Sequence, residues 1–161
     1  MRLLVKSLCL SVLLTAASVA GTVEPRLVAL SVASLDDTIR WYQQNLGFKL
    51  KEQKDFPQAS LRIAFLELDG FELELVEDRK SVSFAAIQSA LPQADDRSKV
   101  QGMVKLAFTV ENLEALAARM KDNGVKFQMG LTKSNRESGV SFFIVRDNNG
   151  NWLQFFSRSQ S

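Results

Sequence analysis

Apolar and polar residues alternate from Leu27 to Val32, with Val28, Leu30 and Val32 on one side and Leu27, Ala29 and Ser31 on the other. That period predicts a strand with two distinct faces. Ser34 then stands where a helix N-cap belongs, with Asp36 and Asp37 in the first turn, where they favour the helix dipole. Leu35, Ile39, Tyr42 and Leu46 share one helical face, and Gly47 is placed to end the helix. Strand patterns follow near Phe48–Gln53 and over Leu61–Leu68, and Asp69-Gly70 is a two-residue hairpin signal into Phe71–Glu77.

The second half repeats the plan. Val104, Leu106, Phe108 and Val110 make one strand face. Asn112 caps a helix with Leu113, Leu116, Ala117 and Met120 inward, and Gly124 ends it. A strand over Val125–Met129, a polar loop over Leu131–Gly139 and a hairpin over Ser141–Arg146 and Asn151–Phe156 complete it. Leu27 maps onto Lys105 by a shift of 78, and Glu74 onto Gln154 by a shift of 80. A repeat of this length means two copies of one βαβββ unit. Module one spans 26–77, a linker 78–101 and module two 102–157, within one domain over 21–161. In the linker, Phe84 to Leu91 form one or two helical turns stopped by Pro92.

The first twenty residues stand apart from this pattern. Arg2 and Lys6 form a basic start, Leu8 to Leu14 a largely apolar run, and Ser18-Val-Ala20 a small-residue cleavage signature. The order is that of a secretory signal peptide over 1–20. The run is shorter than the roughly 20 apolar residues a membrane span needs, so the expectation is a periplasmic or secreted protein with no stable membrane anchor after cleavage. Removing 20 of the 161 residues leaves 141 and takes away Cys9, the only cysteine, so no disulfide and no thiol nucleophile would remain. It also leaves 18 charges of each sign. A neutral chain argues against nucleic acid as a partner. There is no histidine, which removes the commonest general base and the commonest metal ligand together.

Val28-Ala-Leu-Ser-Val-Ala-Ser-Leu-Asp36, then Trp41-Tyr42 and Leu46-Gly47-Phe48, resembles the opening of vicinal oxygen chelate proteins, among them glyoxalase I, extradiol dioxygenases and bleomycin-resistance proteins. Ala107-Phe-Thr-Val110 with Leu113, Gly124-Val125, Arg146-Asp147 and Gly150-Asn151 resembles that superfamily's second half. The resemblance covers 26 to 157. It implies an α+β fold in which two βαβββ modules form a curved mixed sheet, a cup, with helices outside. It also implies two ways for the modules to pair, within one chain or exchanged between two copies as a homodimer. The superfamily's enzymes hold a divalent metal in the cup through four residues, and these positions fall here on Leu27, Glu74, Lys105 and Gln154. Leu27 has no donor atom, Lys105 is cationic, and one carboxylate with one amide falls short of the three protein donors a catalytic site needs. The expectation is no metal and no cofactor.

Hairpin register assigns the faces. With Asp69-Gly70 as the turn, Phe65 pairs with Glu74 and shares its face. The cup face is then Leu61, Ile63, Phe65 and Glu74, joined by Leu27, Ala29, Met103, Lys105, Trp152 and Phe156, with Phe143 a further candidate. Val28, Leu30, Leu66, Leu73, Val104, Leu106 and Leu153 should meet the helices. The cup is thus apolar with Glu74, Lys105 and Gln154 at its centre, and a charge in such surroundings is costly unless paired. Lys105 is expected to take the metal's place, bridging toward Glu74 and Gln154. Three readings stay open: a polar plug that merely closes the cup, a ligand-binding cup oriented by these groups, and catalysis by Lys105. The last would need a depressed pKa, which a neighbouring Glu74 opposes.

The leading expectation is an exported small-molecule binder whose ligand touches Leu27, Ile63, Phe65, Glu74, Met103, Lys105, Trp152 and Gln154. The alternatives are a lyase, isomerase or dioxygenase with an atypical site, and a structural or partner-binding domain. Arg62 and Glu77 are expected to pair structurally on the outer face. Arg136 is a loop charge able to reach an anionic ligand.

Overall fold

A computed structural model describes residues 24–91, 101–136 and 139–158. The expected signal peptide over 1–20 and most of the polar linker stretch lie outside the described residues. The first module runs β1 (Val28–Ser31), α1 (Leu35–Leu46), β2 (Lys49–Phe56), a short 3-10 turn (Pro57–Ala59), β3 (Leu61–Leu68) and β4 (Phe71–Asp78). The linker carries α2 (Phe84–Ala90). The second module runs β5 (Lys105–Val110), α3 (Leu113–Asp122), β6 (Phe127–Lys133), β7 (Ser141–Arg146) and β8 (Trp152–Ser157). Each module is a four-stranded mixed sheet, ordered β1-β4-β3-β2 and β5-β8-β7-β6, and no ladder joins the two. The fold is α+β, built from two βαβββ units.

Local chemistry explains the helix boundaries. The Ser34 side chain accepts a hydrogen bond from Asp37 N at 3.4 Å, and Gly47 ends α1 at φ 79°. Asn112 caps α3 by accepting from Ala115 N at 2.9 Å. The β3–β4 turn has φ of 48° at Asp69 and 81° at Gly70, the double positive that a tight, right-twisted hairpin demands. It fixes the register read from sequence, with Leu68 opposite Phe71 and Phe65 opposite Glu74.

One face of each sheet is covered by helices. Leu30, Ala64, Leu66, Leu73 and Leu75 from the first sheet and Val145, Leu153 and Phe155 from the second are buried in one continuous core with Leu35, Ile39, Tyr42, Leu113, Leu116 and Met120. Full burial of one such side chain contributes about 1.5–3 kcal/mol. Phe143 belongs to this core and not to the open face, where it was a further candidate. Its partner across the ladder is Phe155, and paired residues share a face. A second difference lies in β6, which continues through Leu131–Lys133 where a loop is expected. Thr132 and Lys133 pair with Phe142 and Ser141, and two register shifts mask the alternation.

The modules are locked together where the repeat meets itself. Asn123 is the equivalent of Asn45 under the shift of 78, and Asn123 Nδ2 donates to Asn45 Oδ1 at 3.0 Å. A residue that touches its own repeat equivalent must lie by the axis relating the two copies. Arg119 also donates to Asn45 O at 3.0 Å. The Asp147–Gly150 turn docks on the first module: Asn149 Oδ1 accepts from Ala33 N at 2.9 Å and Asn149 Nδ2 donates to Thr38 Oγ1 at 2.9 Å. Beneath it, the Tyr42 hydroxyl donates to buried Asp147 Oδ2 at 3.0 Å. Phe108 closes the seam by edge contacts with Phe48 and Phe71, centroids 6.4 and 5.8 Å away.

Candidate functional site

The helix-free faces carry the predicted site residues. On the first sheet, Glu74 lies between Ala29 and Phe65 in register, with Ile63 and Val76 alongside. On the second, Lys105 is beside Trp152, Gln154 stands between Ala107 and Ile144, and Phe156 stands between Thr109 and Phe142. Strand alternation places all of these opposite the buried Leu153 and Phe155, so the expected faces hold apart from Phe143.

The expected bridge from Lys105 to Glu74 is absent. Lys105 Nζ donates to Gln154 Oε1, a close contact diagonally across neighbouring strands. Glu74 has no ion pair or hydrogen bond among the described residues. Lys105 and Gln154 occupy adjacent strands of one sheet, while Glu74 belongs to the other. Gln154 is only 4% exposed, so its carbonyl needs this donor. One amide oxygen is thereby committed to an ammonium. With Leu27 donorless, the four positions do not fit a metal, and among the described residues no cluster of three carboxylate, cysteine or histidine side chains does.

One hollow lies between the modules and another lies on the second module alone. The first, about 840 Å³, lies between β1, α2 and the Asp147–Gly150 turn, and Ala29, Met103, Arg146 and Asn151 line it. The second, about 940 Å³, lies on the open face of the second sheet under the β6–β7 connection, and it contains Lys105 and Gln154. Met129, Phe142 and Phe156 give it an apolar floor, and Lys133, Arg136 and Arg158 stand around it. Of the predicted residues, the structure brings Lys105 and Gln154 together in this hollow and puts Met103 in the other. Leu27, Ile63, Phe65, Glu74 and Trp152 line neither. Lys133, Phe142 and Arg158 escape a sequence reading because the irregular β6 hides where its connection to β7 returns. A usable signal is the stretch from Gln128 to Arg146, which holds three cations and only Glu137 as an acid.

Electrostatics separate structural groups from available ones. Arg62 bonds Asp36, Asp55 and Glu77, with nitrogen–oxygen distances of 2.9, 3.3 and 3.2 Å. The hydrogen bond from Arg62 holds the Asp36 carboxyl below the usual range. Glu77 Oε2 also accepts from Leu35 N at 2.6 Å, which ties the start of α1 to β4. These groups are the expected structural cluster. Burial, followed by the charge of Asp147, pushes the Tyr42 phenol well above its ordinary value, so it stays a neutral donor. Trp152 Nε1 is the one buried side-chain polar atom without a partner among the described residues.

Residues 26–155 match the model of the Glyoxalase/Bleomycin resistance protein/Dioxygenase superfamily. A lactoylglutathione lyase of Schizosaccharomyces pombe is 22% identical over 160 residues, covering 82% of this chain and 46% of that protein. The chain thus spans about half the length of that curated relative. Among solved structures, a glyoxalase family protein from Enterococcus faecalis superposes with a TM-score of 0.67 at 22% identity, covering 83% of this chain and 96% of that one. Glyoxalase I from Zea mays gives 0.66 at 21%, covering 84% and 45%. A glyoxylase/bleomycin resistance protein/dioxygenase domain from a Frankia species gives 0.68 at 21%, covering 88% and 96%.

Proposed function

Because the chain belongs to the Glyoxalase/Bleomycin resistance protein/Dioxygenase superfamily yet has a lysine bonded to a glutamine at two of the positions where the resemblance puts metal ligands, we propose that it binds a small organic molecule without a metal. The proposed seat is the open face of the second sheet. The observation that carries this reading is the contact of Lys105 Nζ with the buried Gln154 Oε1. It fixes a cation over an apolar floor, and an ammonium uses only one of its three donors there. Specific pockets have this make-up, mostly apolar with a few placed polar groups.

The same reading has the protein exported after loss of residues 1–20, supported by the basic, apolar and small-residue order of that segment. Intact mass from the secreted or periplasmic fraction should begin at Gly21. Full-length protein confined to the cytosol would overturn it.

Elemental analysis tests the metal-free claim, and the expected result is substoichiometric zinc, nickel and iron after purification. A second reading, a lyase with an atypical site, draws on the similarity to lactoylglutathione lyase. Turnover of lactoylglutathione together with about one tightly held metal per chain would favour it over the binder.

A further inference from the structure

The hollow on the second sheet has a marked charge character. Four of its described lining residues are cationic, Lys105, Lys133, Arg136 and Arg158, and none is a carboxylate. Arg158 reaches Glu111 at 3.6 Å, but with side chains 69% and 83% exposed that pair is weak. Like charges around one concavity repel, and a low-dielectric wall focuses their field on whatever enters. The floor beneath them is aromatic, with the Phe142 and Phe156 rings 5.7 Å apart and tilted at 45°. Neighbouring open faces differ in sign. The first sheet presents Glu52, Glu67, Glu72 and Glu74 together with Lys49 and Lys54 on the equivalent side, and Lys54 pairs with Glu52 at 2.7 Å, so that face is mixed with acids in excess.

We propose that this hollow selects an amphipathic organic anion, with a carboxylate head held by Lys105 and Arg136 and an aromatic or acyl body laid on Phe142 and Phe156. The proposal rests on the metal-free binding reading and names its ligand class. Lys105 is pre-oriented by Gln154, so fixing it costs little on binding. Arg136 offers a planar fork that matches a carboxylate with two hydrogen bonds. At about 940 Å³ the space exceeds the needs of an inorganic ion and suits a body of drug-like size.

Three probes of one shape and different charge test this on the full-length protein: phenylbutyrate, phenylbutanamide and phenylbutylamine, titrated calorimetrically. Phenylbutyrate should bind, the amide roughly tenfold more weakly, and the amine without measurable affinity. Added salt should weaken phenylbutyrate and leave the amide unchanged. Lys133→Gln with Arg136→Gln, both on the exposed rim, should lower phenylbutyrate affinity about tenfold. Arg26→Gln makes the same kind of charge change on the distant first sheet, where Arg26 is 83% exposed, and should have no effect. Equal binding of acid and amide would overturn the anion proposal while leaving a binder. Phenylbutyrate binding that is indifferent to the rim variant would overturn the location. Failure of all three probes to bind would overturn the proposal, and the metal-free reading would rest on the elemental analysis alone.

Discussion

Tyr42 is the only tyrosine in the chain, so its ionisation can be read without interference. Its folded-state pKa is raised, by burial first and by Asp147 second. An acid with a raised folded pKa stabilises the fold fully below its unfolded value, about 10, and less as pH climbs past it, because only the unfolded chain then releases the proton. Tyrosinate absorbance should therefore stay absent from the native protein above about pH 10 and appear only as it unfolds. Tyr42→Phe should flatten that alkaline loss and cost about 1–3 kcal/mol at neutral pH, since Asp147 loses a buried donor. A phenol titrating normally in the native state would contradict the latch. Lys105 gives a second residue-level prediction. Lys105→Met leaves the Gln154 oxygen buried and unpaired and should cost about 1–3 kcal/mol in urea denaturation, while Lys105→Met with Gln154→Leu should cost less than the single change. A double change as costly as the sum of the two singles would show the contact to be worthless. Sequence placed Lys105 and Gln154 on one open face correctly. It paired Lys105 with Glu74 because alternation reports which face a side chain takes and says nothing of how far apart two sheets stand.

At the scale of elements, legibility followed the turns. Asp69-Gly70 leaves one register open to its hairpin, and β3 and β4 pair as read. The turn between Arg146 and Trp152 is longer and does not fix register by itself, which is why Phe143 could be placed on either face. In β6 the shifts around Met129 break the period of two, and with it went the sight of Lys133 and of the hollow's rim. Helices α1 and α3 were legible because their caps and apolar stripes are local. What tied α1 to its sheet was less visible: Glu77 serves the Leu35 amide and Arg62 at once. Glu77→Ala should destabilise by about 1–3 kcal/mol, mostly by leaving the helix-terminal Leu35 amide without its acceptor, since Arg62 keeps Asp36 and Asp55. An unchanged urea midpoint would mean that water serves α1 equally well.

For the whole molecule, the duplication explains both cohesion and asymmetry. The copies share one core, and Asn45 meets Asn123 by the axis between them. Unfolding should accordingly be a single transition, with near-ultraviolet and far-ultraviolet dichroism coincident. Asp147→Ala removes the acceptor of hydrogen bonds from the Tyr42 hydroxyl, the Asn151 side chain and two turn amides, and should cost about 3 kcal/mol or more. Two separated transitions in the native sequence would mean that the modules fold independently. The asymmetry lies in the charge of the open faces: acids are in excess on the first sheet, while the second sheet's hollow is lined by four cations and no carboxylate among the described residues. Chemical-shift mapping of the metal-stripped protein with phenylbutyrate tests most directly whether that face is a binding site without a metal. Saturable shifts should cluster at Lys105, Phe142, Gln154 and Phe156. Shifts centred on Ile63, Phe65 and Glu74, or shifts that appear only after a divalent metal is restored, would contradict it.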